Sequence, residues 1–159
     1  MAWRLAQSSK LTELLIAPGN AGTAEVGTNV PIGVDDHEDL VNFALDHEVD
    51  LVVVAPDQPI VDGLCDKLRA AAITTFGPSA NAARIEGSKI WSNDLMTKYD
   101  IPTAESEAFS DSGAAMEFGH SWSEGSLVVK ADGLAAGKGV MLPDTYEELD
   151  AAITGMLDD

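Results

Sequence analysis

The chain has 159 residues, 45% of them hydrophobic and 23% charged, and its 27 acidic against 9 basic side chains give a formal net charge of -18. That balance excludes a nucleic-acid binder, which needs a basic patch, and no apolar run reaches the roughly 18 residues that a membrane-spanning helix needs. The single cysteine, Cys65, excludes an internal disulfide and a cysteine metal cluster, and its apolar helical surroundings read as core.

Met1-Ala-Trp-Arg-Leu-Ala has no long apolar region and reads as neither a secretory signal nor a transit peptide, so a cytoplasmic location is expected. Residues 2–7 are helix-compatible up to Ser8 and Ser9. Leu14-Leu15-Ile16-Ala17 reads as a short buried strand and Pro18-Gly19-Asn20-Ala21-Gly22-Thr23 as the loop after it. Loops in that position bind ligands in α/β sheets, although this composition also fits an ordinary turn. Asp36 is placed to cap a helix with the apolar stripe Leu40, Val41, Ala44 and Leu45, with His37 and His47 expected in solvent.

Leu51-Val52-Val53-Val54-Ala55 is a continuous apolar strand, as in a parallel sheet covered on both faces, and Pro56-Asp57-Gln58-Pro59 breaks it. Ile60, Leu64, Leu68 and Ala71 recur at helical spacing, and Ile73-Thr74-Thr75-Phe76 is the next strand. The order βαβα predicts an α/β fold with a parallel sheet.

A brief helix over 80–85 leads to Glu86-Gly87-Ser88-Lys89 and a helix carrying Ile90, Leu95, Met96 and Tyr99, ended by Ile101-Pro102-Thr103-Ala104. A lysine at a helix start opposes the helix dipole, so Lys89 reads either as a ligand contact or as a tolerated surface charge. Residues 105–109 form a weak strand and 113–119 a weak helix; His120 and Trp122 show no metal-ligand pattern. Thr145-Tyr146-Glu147-Glu148 is a capping box opening a helix with Leu149, Ala152, Ile153 and Met156 on its apolar face.

Between these lies the most informative stretch, LVVKADGLAAGKGV from Leu127 to Val140. Strands at its two ends, with Gly133, Gly137 and Gly139 in the link, predict a hairpin with a large glycine-rich turn. Glycine lets backbone N–H groups approach phosphate oxygens, and Lys130 and Lys138 supply countercharge. The spacing fits neither a Walker A loop nor a dinucleotide fingerprint, and the residues after Gly139 are strand-like, so the expectation is a hairpin lid over a nucleotide. Asp132 could pair with Lys130, orient a loop amide, or simply form the turn.

VVKADGLAAGKGV closely resembles the glycine-rich loop of the glycinamide ribonucleotide synthetase (phosphoribosylamine–glycine ligase) family of the ATP-grasp superfamily. PGNAGT, EGSK and IPTA also resemble that family's sequence. One departure is the turn at Ala55-Pro56-Asp57, where the family usually has glycine, proline and glutamate. The resemblance implies a Rossmann-like pre-ATP-grasp domain with a parallel sheet over 1–85, lacking its first strand, and the N-terminal part of an ATP-grasp domain over 86–159. It implies ATP binding by Lys89, Lys130, Gly133, Gly137, Lys138 and Gly139, and binding of 5-phosphoribosylamine by Pro18, Gly19, Asn20 and Asp57.

The implied reaction joins glycine to 5-phosphoribosylamine in purine biosynthesis, using ATP and Mg2+ and passing through glycyl phosphate. Relatives begin with a further strand and a GGREHA-type loop and continue past Asp159, so catalytic residues and metal ligands are expected outside this chain. No ligase activity and low stability are expected of these residues alone. The alternatives are another ATP-grasp carboxylate–amine ligase or a non-catalytic nucleotide-binding module.

Overall fold

A computed structural model describes residues 1–135 and 137–158; Ala136, inside the glycine-rich stretch, and Asp159 lie outside the described residues. The chain divides into two compact units, Met1–Asn81 and Ala82–Asp159.

In the first unit, α1 (Ala2–Leu5) precedes β1 (Leu15–Ile16), a 3-10 turn (Thr23–Glu25) and β2 (Thr28–Asn29). Then come α2 (His37–Asp46), β3 (Val52–Val53), α3 (Asp57–Val61), α4 (Leu64–Ala70) and β4 (Thr75–Phe76). Strands β1 and β2 pair in parallel, Leu15 opposite Thr28, and β3 and β4 do the same, Val52 opposite Thr75. A parallel pair needs a crossover, and α3 with α4 supplies it for β3 and β4.

The core is Ala44, Val54, Leu64, Cys65, Leu68 and Ile73, with Leu40, Val41, Ile60 and Ala71 packed against it. Burial pushes the Cys65 thiol up from its ordinary pKa, as suits a core thiol, although Arg69 opposes the shift. The apolar spacing over 60–71 is thus used as expected, but not by one helix. Gly63 takes φ +90°, a left-handed conformation open to glycine, and separates α3 from α4.

Two further expectations change. Asp36 stands at the start of α2, yet its carboxylate accepts from the Gly33 amide (3.1 Å) and caps no amide of the helix. His37 is buried, at 8% exposure, and not in solvent. It lies seven residues before buried Ala44, on the same face of α2, so the stripe that buries Ala44 carries the imidazole inward too. His47 is exposed as expected and stacks on Phe43, with ring centroids 3.9 Å apart.

Helix α5 (Ala80–Gly87) spans the division between the units. The second unit continues with α6 (Lys89–Lys98), α7 (Ser112–His120), the antiparallel pair β5 (Val129–Lys130) and β6 (Val140–Met141), and α8 (Tyr146–Leu157). Ala115, Leu149 and Ile153 form its core, with Phe109, Met116 and Val129 alongside. Gly119 gives α7 and α8 their close approach, since a Cβ there would lie 2.6 Å from Leu149 Cδ2.

The capping box forms with a shift. Thr145 Oγ1 accepts from the Glu148 amide (3.2 Å), while Glu148 Oε2 accepts from Asp144, one residue before the cap (2.8 Å). The strand expected over 105–109 is not formed, because the hairpin strands pair with each other and no strand among the described residues lies beside that segment. Among the described residues no helix is long and apolar enough to cross a membrane.

Candidate functional site

In the first unit the predicted ligand loop follows the C-terminal end of β1, and its own side chains hold it shut. Asn20 Oδ1 accepts from the amides of Gly22 (2.9 Å) and Thr23 (3.1 Å), and the Asn20 amide donates to Thr23 Oγ1 (2.7 Å). Asn29, at the end of β2, ties this loop to the neighbouring strand. Its Oδ1 accepts from the Thr23 hydroxyl (2.8 Å) and its Nδ2 donates to the Asn20 carbonyl (2.8 Å). Sequence reasoning missed Asn29, because a strand of two residues has no alternation to detect.

Gly19 has φ +74°, and a Cβ there would fall on the Asn29 amide. Gly19→Ala is therefore expected to cost about 1–3 kcal/mol in left-handed strain and lost loop bonds. A denaturation midpoint equal to that of the unsubstituted chain would show that these bonds do not hold the loop. Pro18 follows Ala17 across a cis peptide bond. Asp57 is the exposed first residue of α3, just beyond the C-terminal end of β3.

In the second unit the hairpin and its link form as expected. The ladder runs one step past β5 and β6, with the Ala131 amide donating to the Gly139 carbonyl (2.9 Å), and Lys138 closes a turn onto the Ala135 carbonyl (2.8 Å). The glycines serve different ends. Gly133 and Gly137 take φ +89° and +80°, whereas a Cβ on Gly139 would sit 2.5 Å from Ala135 Cβ and 3.3 Å from Ala131 Cβ. Lys130 and Lys138 are exposed, and neither ammonium has a hydrogen bond or ion pair among the described residues. In a chain of net charge -18, one hairpin thus carries two cations that the described residues leave unneutralised.

Lys89 is placed differently. Ser88 caps α6 by accepting from the Trp91 amide (3.1 Å), and Lys89 Nζ donates to the Gly133 carbonyl of the link (2.8 Å). Asp132 does not pair with Lys130. Its Oδ1 accepts from the amides of Lys89 (2.6 Å) and Ile90 (3.2 Å), and its Oδ2 from the Ser88 hydroxyl (3.1 Å). Burial alone would raise the Asp132 pKa, but the amides of Ile90, Lys89 and Gly133 and the Ser88 hydroxyl together outweigh it and hold the carboxyl below its ordinary value. Lys89, Gly133 and Asp132 are thereby brought together, while the ends of Lys130 and Lys138 have no partner among the described residues.

No three His, Cys, Asp or Glu side chains among the described residues gather to hold a metal ion. His120 instead meets Asp150 of α8, Nε2 to Oδ1 2.9 Å.

Two family models match the chain. The N domain of phosphoribosylglycinamide synthetase matches residues 1–86, and its ATP-grasp (A) domain matches residues 87–159. The chain belongs to the phosphoribosylglycinamide synthetase family.

A phosphoribosylamine–glycine ligase of Rhizobium meliloti is 49% identical over 96% of this chain and 36% of its own length. One from Escherichia coli O157:H7 is 45% identical over 99% of the chain and 37% of its own length. The chain therefore spans little more than a third of these relatives. The crystal structure of a phosphoribosylamine–glycine ligase from Thermotoga maritima is also similar, with a TM-score of 0.72 and 31% identity, over 98% of this chain and 35% of that one. The α/β fold with parallel strands is that of this family. Its models meet between residues 86 and 87, whereas the compact units divide between 81 and 82, within α5.

Proposed function

We propose that these residues supply two binding loops of an ATP-dependent phosphoribosylamine–glycine ligase acting in the cytoplasm in purine biosynthesis. Residues 1–85 form its pre-ATP-grasp domain and residues 86–159 the start of its ATP-grasp domain. In this reaction the glycine carboxylate attacks the γ-phosphorus of ATP, ADP leaves, and glycyl phosphate results. The amine of 5-phosphoribosylamine then attacks the glycyl carbonyl and phosphate departs.

The observation that carries the proposal is the pair of lysines without partners among the described residues, Lys130 and Lys138, on a hairpin whose turns and close approaches require Gly133, Gly137 and Gly139. Phosphoryl transfer depends mainly on positioning and on neutralising charge, which lysines and backbone amides do without exchanging protons. Lys89 is a third such cation, and an ATP phosphate would compete with Gly133 for its ammonium. The loop at Pro18, Gly19 and Asn20, with Asp57, takes the phosphoribosylamine, since both follow the C-terminal ends of parallel strands, where α/β sheets bind ligands. Magnesium bridges ATP phosphates in such enzymes, but the described residues offer it no donor set.

A chimera in which these 159 residues replace the matching span of the Escherichia coli ligase tests the proposal. Release of ADP that requires both glycine and phosphoribosylamine is expected. A folded chimera that releases no ADP, or releases it equally without glycine, would refute the assignment.

A further inference from the structure

The hydrogen bonds of Asp132 form a cluster that the proposed reaction does not use directly. Its carboxylate receives donors from three consecutive residues at the start of α6, more than forty positions earlier in the chain. Beside it, the Lys89 ammonium reaches the Gly133 carbonyl, so two links join the same two segments. We propose that Asp132 is a positioning residue, which fastens the glycine-rich loop to α6 so that Lys89 and the loop meet an ATP phosphate together. This rests on the ATP reading of the loop given above.

The two links are chemically unequal. A phosphate anion outcompetes a neutral carbonyl for an ammonium, because hydrogen bonds between charged groups are the stronger ones. When ATP arrives, Lys89 can therefore leave Gly133, and the link through its side chain is lost. The link through Asp132 survives, because it uses main-chain amides and the Ser88 hydroxyl and not the lysine side chain. A carboxylate at the positive end of a helix is also favourably placed. By filling the amides of Lys89 and Ile90, Asp132 leaves the lysine side chain as the phosphate donor of this corner. Asp132 itself stays off the nucleotide.

The test uses the chimeric ligase with Asp132→Ala, Asp132→Asn, Lys89→Ala and the double variant Asp132→Ala with Lys89→Ala. Asp132→Ala is expected to raise KM for ATP roughly 10- to 100-fold, the scale of a catalytic group displaced by about 1 Å, with KM for glycine unchanged. Asp132→Asn keeps one acceptor oxygen and is expected to recover part of the loss. Because Asp132 sets Lys89 against the loop, its loss is expected to cost less once Lys89 is gone, so the double variant is expected to fall short of the product of the two single losses. Losses that multiply in the double variant, or an unchanged ATP KM in Asp132→Ala, would overturn the proposal. A normal ATP KM in Lys89→Ala would overturn the ATP reading itself, and is seen with Asp132 intact. If Asp132→Ala does not fold, Asp132→Asn in the same cycle with Lys89→Ala decides.

Discussion

Lys130→Ala in the chimeric ligase is expected to raise KM for ATP by about 10- to 100-fold while leaving the unfolding midpoint unchanged. Lys130 is the second residue of β5, where its backbone pairs with Val140, and alanine can keep that pairing. Its side chain is exposed, with no hydrogen bond or ion pair among the described residues, so its removal breaks nothing in the fold. On the proposed reading the loss is of a bond to phosphate, and a hydrogen bond to a charged group is worth about 1.5–3 kcal/mol, which sets the expected change in affinity. ATP titration of the steady-state rate decides. KM and kcat both unchanged would remove Lys130 from the site, and a fall in kcat with KM unchanged would place it on the transition state and not on bound ATP.

The largest effect on stability is expected from Leu68→Ala. Leu68 is 1% exposed and sits in the core with Ala44, Val54, Leu64, Cys65 and Ile73. Truncating a leucine in such a place costs about 2–5 kcal/mol in lost burial and residual cavity, against about 5–15 kcal/mol for a whole domain. The loss falls on the first unit. The core of the second, Ala115, Leu149 and Ile153, shares no residue with it. Denaturant unfolding followed at Trp3 in the first unit and at Trp122 in the second, with Trp91 replaced by phenylalanine, checks this. The first transition is expected to move and the second to hold. Equal shifts would show that the two units unfold as one, and no shift would show that α4 is not packed as described.

Much of the site was legible because its signals are local. The glycines of the link were readable from composition, and φ values of +89° and +80° at Gly133 and Gly137 give the backbone reason for two of them. The stripe through Leu40, Val41 and Ala44, though not its fourth expected member Leu45, which is exposed, and the cap at Thr145 act within one or two helical turns, so spacing alone reveals them. The same stripe exposes the error over His37, which shares its face with Ala44: position on the helix outweighs residue type there. Gly63 could have marked the break between α3 and α4, but one glycine inside an apolar repeat is often tolerated in a helix.

By itself the sequence determined the order of helices and strands, the apolar sets that make both cores, the glycine-rich hairpin with its lysines, and the family. Tertiary structure alone decided which polar groups meet. Asp132 finds Ser88, Lys89 and Ile90 more than forty residues away, Lys89 rests on Gly133, and Asn29 closes the loop at Asn20. Helical periodicity and caps follow from geometry repeated every few residues, which a linear reading samples directly. A hydrogen bond between distant segments forms only within about 3 Å and in the right direction, and so depends on how whole elements pack.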